Sequence, residues 1–322
     1  MNNILFKSCF AKELDEFISL KHAQGFIYDS QCYTLKHFDV FCFSNDVTET
    51  VITKELVDAW IHSMPNIKAV SVASRVSCIR QFSLYLLANG YESYLPRYVF
   101  QGHPHLIHVL NDEELHALFY EIDCYSPNGT VFQRLALEYK VMFRILICCG
   151  MRVSEVRKLK KSDVDFNYGI ITIKASKGQK DRLVYLPEDL RNLCVEYQNT
   201  MKMLYGDDSV WLFPAREPDN LMTVGIIDKR FNFAWNNTVY ANQCKTKPTV
   251  HSLRHTFVVK RMNQWMLEGV SLDSMLPYLS KYLGHSSVED TFYYYHQVEE
   301  AFQVVRNHDT KSHKIIPEVM EL

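Results

Sequence analysis

No two of the nine cysteines stand in Cys-x-x-Cys spacing, which removes the usual signal of a structural zinc site or a redox dithiol. Their odd number and their scatter from Cys9 to Cys244 argue against a disulfide framework. With no signal peptide at the start, the expectation is a reducing cytoplasm. No run of eighteen apolar residues occurs. The best candidate, Val141 to Cys149, is short and contains Arg144, so no membrane span is expected. Neither sign of charge dominates: 35 Lys and Arg face 37 Asp and Glu, for a net charge of −2. That balance counts against a globally basic nucleic-acid binder. There is no internal repeat and no low-complexity segment.

What is present is a chain of 322 residues, 47% hydrophobic, long enough for two domains with ordinary cores. Charge is concentrated locally. From Arg152 to Arg182 nine Lys or Arg stand against four Asp or Glu. A local basic surface, more than the overall charge, sets the field that a phosphate backbone meets.

The first hundred residues read as helices. Ala11 to Gln24 ends at a Gly25 turn, and Cys32 to Phe43 forms a second amphipathic stretch. Thr53 can cap a third, with Leu56, Val57, Trp60 and Ile61 as its apolar stripe. Val70 to Asn89 places Val72, Val76, Ile79, Phe82 and Leu86 at three- and four-residue spacing and stops at Gly90. These make a helical domain over 1–103. The stretch from Phe100 to Val109 has Gly and Pro and no helical period, which puts a linker at 104–110. Asn111, with Glu114 three residues on, has the pattern of a capping box that starts a new helix and a second domain, 111–300. That domain reads as mostly helical, interrupted by strands at Ile170 to Lys174 and Leu183 to Leu186 with a polar turn, Ala175 to Arg182, between them. A tail, 301–322, follows. The fold class expected is therefore mainly α with a small β-hairpin or sheet, in two domains.

The chemistry-bearing residues lie in the second domain. Arg152 follows the apolar run Ile145 to Cys149 and Gly150, so it emerges from a buried helix end and needs a carboxylate or a phosphate as partner. Glu155 can be the carboxylate that orients it. Lys177 sits in the turn Ser176-Lys177-Gly178-Gln179-Lys180, ordinarily the place of a solvated lysine. A long-stemmed ammonium there can also reach a leaving-group oxygen and protonate it. His251 and Arg254 are three apart and share one helix face, so both can point at one phosphate; His255 faces elsewhere and suits a core role. Leu283-Gly284-His285 reads as a helix end and a glycine turn, with His285 at a new helix start where backbone N–H groups favour an anion. The run Tyr293-Tyr294-Tyr295-His296 follows. Three successive tyrosines spread over roughly 200° of helix surface. At most one can enter a site lined by Arg152, Arg254 and His285, and spacing alone leaves open which.

Taken together, these motifs resemble the tyrosine recombinases. Gly150-Met151-Arg152-Val153-Ser154-Glu155 is similar to that family's first arginine motif, Lys177-Gly178-Gln179-Lys180-Asp181-Arg182 to its hairpin lysine, and His251 to His255 to its His-x-x-Arg-His box. Leu283-Gly284-His285 with Tyr294 nine residues on resembles its closing Leu-Gly-His and nucleophile. The run of three tyrosines and the slightly acidic net charge depart from the usual pattern. Any one motif is weak; six positions filled in order are not. The resemblance covers about 110 to 300 well and the helical first half more loosely, where it implies a core-site-binding domain of the Xer-like type without a preceding arm-binding domain.

The resemblance implies a two-domain, C-shaped clamp around double-stranded DNA with an inverted-repeat core site. It implies Tyr294 as nucleophile, a 3′-phosphotyrosyl intermediate, and a phosphate held by Arg152, Arg254 and His285. His251 assists the proton at the nucleophile, Lys177 protonates the departing 5′-oxygen, and Glu155 supports. No cofactor and no metal are expected, since the arginines supply the charge a metal would. A homotetramer on DNA is implied, with the tail docking on a neighbouring protomer and an accessory directionality factor as a further partner. The expected place is the cytoplasm, at the nucleoid. The biological role expected is integration and excision of a mobile element. Xer-type dimer resolution and inversion are the alternatives, together with a topoisomerase of the same chemistry and a catalytically silent DNA-binding relative.

Overall fold

The computed structural model describes residues 5–64, 66–98, 107–174, 181–206, 209–285 and 287–292. The chain divides into two compact units, Met1–His105 and Leu106–Leu322. Among its described residues the first holds four helices: α1 (Ala11–Ala23), α2 (Asp29–Ser44), α3 (Lys54–His62) and α4 (Ala69–Ala88). Their apolar faces bury Phe10, Leu14, Phe17, Leu35, Phe38, Trp60, Ile79, Phe82 and Leu86 in one core. Thr53 caps α3, its hydroxyl accepting from the Leu56 N–H at 3.1 Å. Asp39, fully buried on α2, accepts from the Lys7 and Ser8 amides and from Lys36 Nζ, which fastens the N-terminal segment to the bundle.

The second unit begins with α5 (Asp112–Asp123), started by the Asn111–Glu114 capping box with both reciprocal bonds present. Next come α6 (Thr130–Cys149), the single turn α7 (Val153–Val156), and a three-stranded antiparallel sheet of β1 (Val164–Asp165), β2 (Ile170–Ile173) and β3 (Arg182–Tyr185) in that spatial order. The helices α8 (Glu188–Tyr205), α9 (Val224–Asn237), α10 (Val250–Leu267), α11 (Leu272–Leu283) and α12 (Glu289–Phe292) follow among the described residues. The sequence pattern shows two of the three strands; β1, at two residues, is too short to carry a period. α6 is the hub. Its Met142, Phe143, Ile145 and Leu146 are buried, and it packs on α8 and α10. A smaller cluster of Val258, Val259, Met262, Leu276, Leu279 and Leu283 joins α10 to α11.

These contacts bring the C-terminal ends of α6 and α11 beside the first turns of α10. The turn 175–180 with Lys177, the residues 293–300 with all three tyrosines, the tail 301–322 and part of the 104–110 linker lie outside the described residues. No helix among the described residues is long and apolar enough to cross a membrane.

Candidate active site

A helix leaves its last carbonyls without intrahelical donors and carries a partial negative charge at that end. At α6 and α11 these ends face a set of arginines. Arg254, from α10, donates through Nη1 to the Gly150 carbonyl at 2.7 Å and through Nη2 to the Leu283 carbonyl at 2.8 Å. It is only 1% exposed, so the two helix ends supply the acceptors that water would otherwise give a guanidinium. Tyr282 donates its hydroxyl to the Cys149 carbonyl at 3.1 Å, a second link between the same ends. Gly150 closes α6 with φ at +61°, and a β-carbon there would come within 2.3 Å of the Phe257 ring. Only glycine allows that approach of α10 to the end of α6.

Arg152 stands at the N-cap of α7. Glu155 accepts from its backbone N–H at 2.8 Å and from Nη1 at 2.9 Å, and Arg152 Nη2 donates to the Gly284 carbonyl at 3.1 Å. The same carboxylate takes a two-pronged pair of bonds from Arg182, both at 2.8 Å, while Arg182 Nε donates to the Tyr282 carbonyl. Arg182 is 8% exposed in its side chain and Glu155 7%. Two arginines thus share one buried carboxylate, an arrangement that fixes Arg152 and keeps the site positive. Among the sequence candidates Arg182 appears only as the end of the hairpin motif. The signal that could have found it is strand alternation. Arg182 lies two residues before the buried Val184, so its side chain shares the inward face of β3.

His285 follows α11. The bonds of Gly284 N–H to the Lys281 carbonyl and of His285 N–H to the Ser280 carbonyl form a Schellman end. This corrects the expectation of an anion-binding helix start at His285: its N–H is used inside the preceding helix end, and α12 begins only at Glu289. The ring does the facing instead. His285 Nε2 lies 2.9 Å from Arg254 Nη2, and Nδ1 lies 2.7 Å from the hydroxyl of the fully buried Thr291. His251, in the first turn of α10, stands edge-on to the His255 ring with centroids 4.5 Å apart. The structure therefore brings Arg152, Glu155, Arg254 and His285 together and sets His251 on the same helix as Arg254. Lys177 and Tyr294 lie outside the described residues.

The electrostatics are those of an anion site. Burial first, then the charges of Arg254 and Arg152, push His285 down to about 4. His251 is also pushed down to about 4; one side of it is exposed, but protein surrounds the rest, and Arg254 and Arg152 add to the effect. His255 falls to about 3, chiefly through burial. All three rings are neutral at neutral pH. Such a field suits an anion and leaves the imidazoles uncharged beside the arginines. Among the described residues no group of three or more His, Cys, Asp or Glu converges as a metal site.

A stability consequence follows. A histidine whose folded pKa is lowered is protonated first in the unfolded chain. The stability it contributes is complete above the ordinary value of 6.5 and is lost as pH falls toward 3 for His255. Glu138, whose carboxyl burial pushes up, acts in the opposite sense. The comparison is therefore between proteins. Between pH 7.5 and 5 the unfolding temperature of His255→Gln should fall less steeply than that of the natural protein. Parallel curves would mean that His255 can take up a proton in the folded state.

The phage integrase family matches residues 109–301. That span contains every chemistry-bearing residue named above. Over 300 residues the chain is 26% identical to a Sinorhizobium fredii protein named as an integrase/recombinase, y4rB, covering 89% of this chain and 92% of the relative. It is 25% identical over 244 residues to the tyrosine recombinase XerC of Staphylococcus saprophyticus, covering 74% of this chain and 75% of that protein. Its fold resembles that of the XerH site-specific recombinase bound to palindromic difH substrate in a post-cleavage complex, with a TM-score of 0.62 at 19% identity over 87% of this chain and 79% of that one. The Tn1549 transposon integrase in complex with transposon right end DNA is similar too, with a TM-score of 0.60 at 14% identity over 94% of this chain and 99% of that one.

Proposed function

The chain belongs to the phage integrase family and is a tyrosine-type site-specific DNA recombinase, and from that premise we propose how its own residues divide the work. Tyr294 Oη attacks the scissile phosphorus while the bond to the 5′-oxygen breaks, leaving a 3′-phosphotyrosyl enzyme. The tyrosine proton passes toward His251, and Lys177 Nζ gives a proton to the departing 5′-oxygen. Arg152 and Arg254 hold the non-bridging oxygens, where negative charge builds up in the transition state. His285 adds a bond to the same phosphate, and Glu155 keeps Arg152 in place. The attack of a partner strand's 5′-hydroxyl reverses these steps and joins the exchanged ends. The observation that carries the reading is the convergence of Arg152, Arg254 and His285 around two helix ends.

The first unit, with the linker at 104–110, serves in this reading as the core-site DNA-binding domain, and 111–300 as the catalytic domain. Exchange of two duplexes needs four active protomers, so the assembly is a homotetramer on inverted-repeat DNA, with the tail 301–322 as a contact to a neighbour and an accessory factor setting direction. The protein works at the nucleoid. Integration and excision of a mobile element is the role favoured, supported by the near full-length match to a relative named as an integrase/recombinase.

The test is covalent trapping on nicked duplexes from the DNA flanking its own gene, without divalent metal, followed by denaturing electrophoresis. The natural protein should form an adduct that Tyr294→Phe abolishes and that Tyr293→Phe and Tyr295→Phe retain. An adduct that survives Tyr294→Phe would reassign the nucleophile. Firm DNA binding with no adduct from any of the four proteins would favour a silent DNA-binding relative.

A further inference from the structure

The group behind His285 is Thr291, three residues before Tyr294. A guanidinium has donors only, so at the 2.9 Å contact with Arg254 Nη2 the imidazole Nε2 must accept. A neutral ring then carries its proton on Nδ1 and donates it to Thr291 Oγ1, 2.7 Å away. In that tautomer Nε2 has no proton to give a phosphate. Protonating the whole ring is opposed first by its burial, then by Arg254 from α10, Arg152 ahead of α7 and Arg182 from β3. Glu155 is shared between Arg152 and Arg182, His255 and His251 on α10 are neutral, and among the described residues Asp290 on α12 acts in the other direction.

The partner chosen for Nδ1 resolves this. A carboxylate or a carbonyl can only accept and would hold the ring in one tautomer. A hydroxyl can accept or donate by rotating its own proton. We infer that Thr291 is a positioning residue that lets His285 change tautomer without ionising. In the DNA-free site Nδ1–H donates to Oγ1 and Nε2 accepts from Arg254. When a phosphate takes over the Arg254 contact, Oγ1–H donates to Nδ1, and Nε2–H donates to a non-bridging oxygen. The ring has one proton before and after; solvent water carries it from Nδ1 to Nε2, and the threonine keeps its own. Thr291 is fully buried on α12, so the same contact also ties the ring to the segment that leads to Tyr294. The second half of this inference rests on the phosphate role proposed for His285; the DNA-free tautomer does not.

The experiment reads the tautomer directly. The full chain is labelled with ¹⁵N-histidine, and the His285 ring signals are assigned by their loss in His285→Gln. The protein is observed at pH 7, alone and on the nicked duplex that traps it. The expected result is protonated Nδ1 without DNA and protonated Nε2 with it. Thr291→Val, close in shape but without the hydroxyl, should cleave the nicked duplex about tenfold or more slowly in a single turnover and should lose the DNA-dependent change. Thr291→Ser should restore both. Unfolding temperatures of the two variants control for folding. Protonated Nε2 in the free protein would overturn the assignment, and so would Thr291→Val keeping pace with the natural protein. Natural protein that shows the free tautomer but cleaves no duplex would overturn the recombinase roles beneath the inference instead.

Discussion

Arg254→Lys protein should retain most of its affinity for DNA and lose cleavage by about 10²- to 10³-fold, the usual cost of removing one preorganised donor from a transition-state charge. The substitution keeps the charge but not the shape. The guanidinium spans the Gly150 and Leu283 carbonyls and reaches His285 in one plane. An ammonium is a point donor on a flexible stem and cannot serve three directions at once. At least one buried carbonyl would then go without a partner, at about 1–3 kcal/mol each, so the unfolding temperature should fall as well. Affinity should change little because most binding strength comes from phosphate contacts spread along the duplex. Single-turnover cleavage, DNA binding at fixed salt and thermal unfolding check the three parts. Arg254→Lys cleaving within about threefold of the natural rate would remove Arg254 from the phosphate.

Gly150→Ala should destabilise the second unit by about 2–5 kcal/mol. The left-handed backbone costs an alanine about 1–2 kcal/mol, and overpacking against a ring adds about 1–3. The new β-carbon would lie 2.3 Å from Phe257 Cδ1, so something must move. Whatever moves displaces the Gly150 carbonyl that Arg254 holds and shifts Arg152 two residues on, so cleavage should fall even where the protein is folded. Pairing Gly150→Ala with Phe257→Ala, which removes the ring carbons that the new β-carbon would meet, separates the terms. Measured against Phe257→Ala alone, the double variant should show only the backbone cost. Urea unfolding of the natural, single and double proteins gives the numbers. A Gly150→Ala variant as stable as the natural protein would mean that the end of α6 and the α10 helix adjust freely to each other.

Legibility in the sequence followed the kind of signal. The helices of the first unit, the Asn111–Glu114 start of α5 and the α6 run into Gly150 carry periods, caps and stops that physics reads locally. Amphipathicity alone does not account for what is legible: α8 and α11 each carry a clear apolar face, while α9 and α10 hold buried polar and charged residues such as Arg230, Ser252, Arg254 and Thr256 among their apolar ones. Arg182 escaped notice as a site residue because its partner Glu155 is twenty-seven residues away, and only the sheet register brings them together. His285 was misjudged in one respect. Leu283-Gly284-His285 reads as an end followed at once by a beginning, whereas the chain spends the His285 amide on closing the helix behind it.

The pairing of Ile173 with Arg182 and the bonds of Arg182 to Glu155 and Tyr282 fix the two strand ends between which Lys177 lies in the sequence. An insertion or deletion between Lys174 and Asp181 would change the length of that connection while leaving the arginines where they are. Closing a longer loop costs little, about 0.6 kcal/mol for each doubling of its length. In the mechanism proposed above, the length of this segment is therefore a variable separate from the arginines and His285 assigned to the phosphate. A designer could graft turns of different length here and expect the rest of the catalytic unit to tolerate them.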